Sequence, residues 1–169
     1  MAIWRQSYDC GSCKRGAIGK NPTDRAKNGS KRHLLTDGRG APIALLLTGA
    51  NVHDVTMAAK LIDAIIIRRP PVRTFPQNIC LDKGYDDDKL RKHLQRKNLI
   101  FHIPYKVNRI NNIIKRKPGR KKARRWVVER VGAWLNQFRR LKIRYEHKSQ
   151  NHQAFIKFAC SIICYRMAF

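Results

Sequence analysis

Between Arg124 and Leu141 the apolar residues Val127, Val131, Trp134, Leu135, Phe138 and Leu141 recur every three or four positions. At 3.6 residues per turn they form one stripe, so the segment predicts an amphipathic helix packed on a core. The opposite side carries Glu129, with Arg125 one turn before it, Gly132 beside it and Asn136 two turns on. A lone carboxylate among arginines has two readings. It is either half of an Arg125–Glu129 helix pair worth roughly 0.2–0.5 kcal/mol, or it holds a cation against a polyanion.

The remainder of the chain alternates extended and helical patterns. Residues 3 to 10 predict a short strand ending in Asp9-Cys10-Gly11-Ser12, and the Gly-, Pro-, Asn- and Lys/Arg-rich run from Lys14 to Arg32 predicts a loop. Lys31 to Thr36 and Pro42 to Thr48 predict a hairpin turning at Asp37-Gly38-Arg39-Gly40. A helix capped by Asp54 follows, with Met57, Leu61, Ile62, Ile65 and Ile66 at helical spacing, ending before Pro70-Pro71. Next come a strand over Asn78 to Leu81, a polar helix from about Asp86 to Lys97, and a strand over Leu99 to Ile103. A basic linker over about 106–125, the helix bearing Glu129 and a last helix from about His152 to Met167 complete the chain. Three strands, a crossover helix and two further strands each followed by helix define an α/β domain with a mixed sheet and flanking helices. That order is the order of the ribonuclease H-like fold, and one domain accounts for residues 1–169.

Thirty-seven Lys and Arg against eleven Asp and Glu give a net charge of +26. Such an excess repels itself unless a polyanion neutralises it, and nucleic acid is the partner it predicts. A ribosome-bound or nonspecific binder satisfies the same number. Phosphate contacts are expected from Lys31, Arg32 and Arg139, and from Lys115, Arg116 and Lys117 in the linker. No run of eighteen apolar residues exists, which predicts no membrane span and a cytoplasmic, nucleoid-associated protein. The five cysteines predict reduced thiols, with Cys80, Cys160 and Cys164 as core residues. Cys10-x-x-Cys13 lacks the second ligand pair that a structural zinc needs.

The acids are few enough to weigh one by one. A crossover helix makes the first strand and the strand ending at Leu81 parallel neighbours, which brings Asp9 and Asp82 to adjacent carboxyl ends, where open α/β sheets place their ligands. If the Glu129 helix packs on the same sheet, a three-carboxylate cluster results, and hard oxygen ligands with a phosphate substrate select Mg²⁺ or Mn²⁺. Each acid has a plainer alternative. Asp82 caps the following turn, although Asp86, Asp87 and Asp88 are better placed for that; Asp24, the rival to Asp9, reads as a turn residue beside Arg25; His53-Asp54 reads as a helix entry rather than a catalytic pair.

Several stretches resemble DDE transposases of bacterial insertion sequences: Asn21-Pro22-Thr23-Asp24-Arg25, Thr48-Gly49-Ala50-Asn51-Val52-His53-Asp54, Leu81-Asp82-Lys83-Gly84-Tyr85-Asp86, Arg125-Trp126-Val127-Val128-Glu129-Arg130, Ala133 to Leu141, and the region of Phe158-Ala159-Cys160. The resemblance spans nearly the whole chain. It implies a ribonuclease H-like catalytic domain that cuts DNA at transposon ends and joins the 3′ hydroxyl to target DNA with Mg²⁺, working as a homo-oligomer on DNA. It assigns Asp9, Asp82 and Glu129 as the metal-binding acids and Arg125 as a phosphate-positioning residue. Asn136 stands where many relatives carry a basic residue. The family's N-terminal DNA-binding segment is expected from a separately encoded part, and the alternative is a DNA-binding relic or inhibitor of a full-length transposase.

Overall fold

The computed structural model describes residues 3–4, 7–9, 16–22, 27–68, 75–106 and 125–169. The core is a sheet built around β4 (Asn28–Thr36). On one side of β4 lie β1 (Ile3–Trp4) and β2 (Ser7–Asp9), which share one antiparallel register, from Ile3 opposite Leu35 to Asp9 opposite Gly29. On the other lie β3 (Gly19–Lys20) and β5 (Pro42–Gly49), also antiparallel. β4 therefore begins inside the stretch expected to be loop. Its first residues, Asn28, Gly29, Ser30, Lys31, Arg32 and His33, carry no apolar signal, and Ser30, Lys31, Arg32 and His33 each reach a polar partner within the fold.

The hairpin is where the sequence puts it. The Asp37 carboxylate accepts from the backbone N–H groups of Arg39, Gly40 and Ala41 at 2.9, 2.7 and 2.8 Å. Gly40 sits at φ +105°, a conformation a side chain disfavours.

Alternation along β4 divides two apolar layers, because successive side chains point to opposite faces. Leu35, opposite Ala44, joins the layer built with α1 (Asp54–Asp63), α2 (Asp88–Arg96), β6 (Asn78–Cys80) and β7 (Ile100–His102). Leu34, opposite Leu45, joins the layer built with α3 (Arg125–Gln137), α4 (Arg139–Lys142) and α5 (Ser149–Ala168). Helices thus cover both faces of the sheet. α1 stops at Asp63, so Ile66 leaves the expected stripe and is exposed.

Two features depart from the expected layout. β6 and β7 pair in parallel as a sheet of their own, and among the described residues no ladder joins β6 to the first strand. The Glu129 helix also ends at Gln137 rather than running on to Leu141. Phe138 adopts extended backbone (ψ 102°), and the break turns Leu141 into the same apolar layer as Val131 and Leu135 while Arg139 and Arg140 face outward.

Candidate catalytic site

Asp82 follows β6 directly. Its Oδ1 accepts from the Lys83 N–H at 2.9 Å, capping a single 3₁₀ turn over Lys83–Tyr85. The capping role is therefore real for one of its oxygens, and the side chain remains half-buried at the end of the strand. The next three acids divide their work. Asp87 caps α2 through the Leu90 N–H at 3.0 Å and Asp88 lies in that helix's first turn. Asp86 is buried: its Oδ1 accepts from Arg91 Nε and Nη2 at 3.0 and 2.8 Å, its Oδ2 from the Lys106 N–H at 2.8 Å. The Arg91 guanidinium also stacks on Tyr105 and Phe101, so this anchor fixes the segment after Asp82 to the end of β7. Reading Asp86 as a helix-start acid missed that anchor.

Glu129 is exposed on α3, while Val127, Val131 and Leu135 are buried as their spacing predicts and Trp134 and Phe138 are half-buried. Arg130 lies between the rings of Trp126 and Trp134, 5.1 and 4.9 Å from their centroids, and donates to the Arg39 carbonyl in the hairpin turn. Two turns beyond Glu129, Asn136 accepts from Arg32 Nη2 at 3.0 Å.

These contacts set the direction of α3. Its first turns, at Val127, Arg130 and Val131, lie against Gly40, beyond the end of β4. Asp9 lies at the opposite end of β4, across from Gly29, and the seven-residue advance from Gly29 to Thr36 spans about 24 Å. Asp82 belongs with Asp9. α1 starts beside Lys31 and His33, and the last turn of α2 reaches Asp63 at the far end of α1, so the start of α2 and the turn before it lie at the Asp9 end. The fold brings two of the candidate acids to one end of the sheet and docks the first turns of the Glu129 helix at the other. Among the described residues no three His, Cys, Asp or Glu side chains form a group able to hold a metal ion. The Asp9 side chain is outside that set.

Two expected phosphate contacts are corrected. Lys31 and Arg32 are buried, 3% and 0% exposed. Lys31 Nζ donates to the Val52 carbonyl at 2.7 Å and pairs with Asp54 at 3.3 Å; burial lowers the pKa of Arg32 to about 10, which leaves it charged at neutral pH beside Asn136. Neither head group reaches surface where a DNA phosphate lies. Asp54 is accordingly no helix cap: the cap position is His53, which makes no side-chain cap bond, and Asp54 instead faces Lys31 and, at 3.6 Å, His33. Burial, with Lys31 adding to it and Asp54 opposing, lowers the pKa of His33 to about 4. Arg139 is exposed, as a phosphate contact requires. Asp24, Lys115, Arg116, Lys117 and the side chain of Arg125 lie outside the described residues, as do Cys10 and Cys13. Cys160 is a buried thiol raised to about 12 by that burial, whereas Cys80 and Cys164 are only partly buried.

A second polar centre sits at the Asp9 end. Arg144 is buried between α4 and α5, donating to the Ser30 hydroxyl at 2.7 Å and to the carbonyls of Ala17, Glu146 and His147. Glu146 accepts from Arg140 Nε at 2.9 Å and meets His152 Nδ1 at 3.2 Å. Burial works against ionising Glu146, but these bonds outweigh it and its pKa lies below the ordinary value. The spacing Arg140, Arg144, Glu146, His152 has no period and gave the sequence reading nothing to find.

The profile described as "Transposase DDE domain" matches residues 10–164, a span that includes Asp82 and Glu129 and starts one residue after Asp9. The chain is a member of the DDE transposase family. It is 41% identical over 158 residues, 89% of its length and 70% of the relative's, to "Putative transposase for insertion sequence element IS402" of Burkholderia cepacia. No solved structure matches it significantly. No helix among the described residues is long and apolar enough to cross a membrane.

Proposed function

We propose that the chain is the ribonuclease H-like catalytic domain of a transposase, cutting phosphodiesters at the ends of an insertion sequence and transferring the freed 3′ hydroxyl to target DNA. The observation that carries this reading is the family match over residues 10–164 with Asp82 and Glu129 inside it. The donor chemistry fits a divalent cation: Asp82 is half-buried at a strand end, Glu129 is solvent-facing, and carboxylates suit Mg²⁺ or Mn²⁺. Asp9, Asp82 and Glu129 would hold such ions, which when bound activate the attacking oxygen and stabilise the leaving one.

The chain's own groups do the rest. Arg139, Arg125 and Lys115 to Lys117 hold the DNA backbone, and the Asp86–Arg91 anchor fixes the segment that carries Asp82. For Glu129 to join Asp9 and Asp82, α3 would have to leave the position in which Arg130 meets the hairpin turn. A homo-oligomer completes the assembly on DNA, in the cytoplasm at the nucleoid.

One observation favours a second reading, a DNA-binding relic or inhibitor without catalysis: the first turns of α3 dock at the end of β4 away from Asp9. Nicking of a plasmid carrying the DNA that flanks the gene, measured with Mg²⁺ beside gel-shift affinity, separates the two. The proposal expects cleavage by the parental chain and a loss of at least ~100-fold in Asp82→Asn and Glu129→Gln, because losing even an outer-shell partner costs about 10–100-fold. DNA affinity should be retained or raised in both. Tight DNA binding without Mg²⁺-dependent nicking by the parental chain favours the relic.

A further inference from the structure

α5 has two apolar faces; one is buried inside the domain, and the other meets the rest of it at Phe155, where the Arg140 guanidinium lies 5.0 Å from the ring centroid. His152, Ile156, Ala159, Cys160 and Ile163 are buried against the sheet and α3. A second stripe, Phe155, Phe158, Ile162, Tyr165 and Phe169, points away from that core. Phe158 and Tyr165 are each 67% exposed and Phe169 is 96% exposed; Phe155 is 41% exposed and Ile162 half-buried.

The spacing of this stripe is three, four, three, four. That is the a and d pattern of a two-helix seam, sustained over fourteen residues or about 21 Å of helix. Ala154, Ser161 and Ala168, seven apart along one flank, are small and exposed, so another helix can approach closely. Charge points the same way. Lys157 and Arg166 are the only Lys, Arg, Asp or Glu among the twenty residues of α5, in a chain that is 28% charged with a net of +26. Two copies of so basic a chain repel over most of their surfaces, and this stripe is where they meet at least electrostatic cost.

We propose that α5 is a self-association surface whose occupant is the same helix of a second copy. The stripe is nearly symmetric about Ile162, as a two-fold contact between identical patches requires. An antiparallel pair sets Phe155 against Phe169 and Phe158 against Tyr165 of the second copy. Aromatic rings present about 150–250 Å² each, so at these exposures the stripe hides roughly 500 Å² per copy. The pair then buries about 1,000 Å², the size at which specific interfaces begin. The seam uses none of the acids assigned to catalysis, so its test is independent of cleavage.

The experiment is sedimentation equilibrium of the full chain without DNA, from 1 to 100 µM in 0.5 M NaCl to screen the charge, for the parental protein and for Phe158→Lys/Tyr165→Lys. Both substituted residues are exposed, and circular dichroism with the melting temperature confirms that the variant folds. The expected result is a reversible dimer for the parental chain and a dissociation constant raised at least ~100-fold in the variant, since four buried aromatic anchors are lost per dimer. A parental chain monomeric throughout, as when another segment or protein covers the stripe, overturns the proposal. So does a variant that dimerises as tightly as the parent.

Discussion

Replacing Arg144 by Ala tests whether the polar centre at the Asp9 end holds the C-terminal helices to the sheet. The guanidinium donates to Ser30 Oγ at 2.7 Å, the Glu146 carbonyl at 3.1 Å, the His147 carbonyl at 3.2 Å and the Ala17 carbonyl at 3.4 Å, from a side chain that is 2% exposed. Hydrogen bonds from a charged donor contribute roughly 1.5–3 kcal/mol each, but they are not additive and the longest is weak. Truncation also leaves buried carbonyls unpaired, while the Glu146 carboxylate keeps Arg140 as its cation. A total loss of about 4 kcal/mol follows, a large part of the ~5–15 kcal/mol that a domain possesses. With a urea m-value of about 2 kcal/mol/M, the unfolding midpoint should fall by roughly 2 M. Tryptophan fluorescence in 0.5 M NaCl reads it. Arg144→Lys, which keeps the charge but loses the planar fork, should fall about half as far. An Arg144→Ala midpoint within ~0.3 M of the parent refutes the reasoning.

Three further outcomes are expected. His33 has a folded pKa of about 4 against an ordinary 6.5, so between those values the unfolded chain takes up a proton that the folded chain refuses. Its contribution is complete above about pH 6.5 and is lost as the pH falls toward 4, up to about 2 kcal/mol between pH 7 and 5; His33→Gln should flatten that slope, and an unchanged slope contradicts the assignment. Gly40→Ala forces a side chain into φ +105° within 3.3 Å of Val127 and should lower the melting temperature by about 5 °C, with no change counting against the docking of the turn on α3. Arg139→Ala should reduce the slope of log affinity against log salt by about 0.9, whereas Lys31→Met should leave that slope unchanged while costing stability; the reverse pattern restores Lys31 as a phosphate contact.

The sequence revealed those parts of the fold in which one face is wet and the other dry. Val127, Val131 and Leu135 announce α3 through their period, and Asp37 with Gly40 announces the hairpin. β4 was half hidden because it is buried on both faces: its polar residues Ser30, Lys31, Arg32 and His33 look solvated in a linear reading but find Arg144, Asp54, Asn136 and Thr48 across the layers. Burial of a charged side chain depends on a partner far away in the chain, here 21 to 114 residues away, and no local pattern encodes it. The same limit applies to the site. The position of Asp82 was legible from its strand end and the Lys83-Gly84-Tyr85 turn, and that of Glu129 from its solitude on the wet face of α3. The direction in which α3 crosses the sheet was not legible, because a stripe of Val and Leu packs equally well when the helix runs the other way. It is fixed by Arg130 reaching Arg39 and Asn136 reaching Arg32.

Asp82 and Glu129 must serve one catalytic centre although their elements dock at different ends of the sheet. Plasmid nicking rates of Asp82→Asn, Glu129→Gln and the double variant decide it, because residues acting as a unit are grossly non-additive. The double variant should be no slower than the more damaged single one, all three lying at least ~100-fold below the parent. Losses that multiply, or a Glu129→Gln chain that nicks at the parental rate, contradict it.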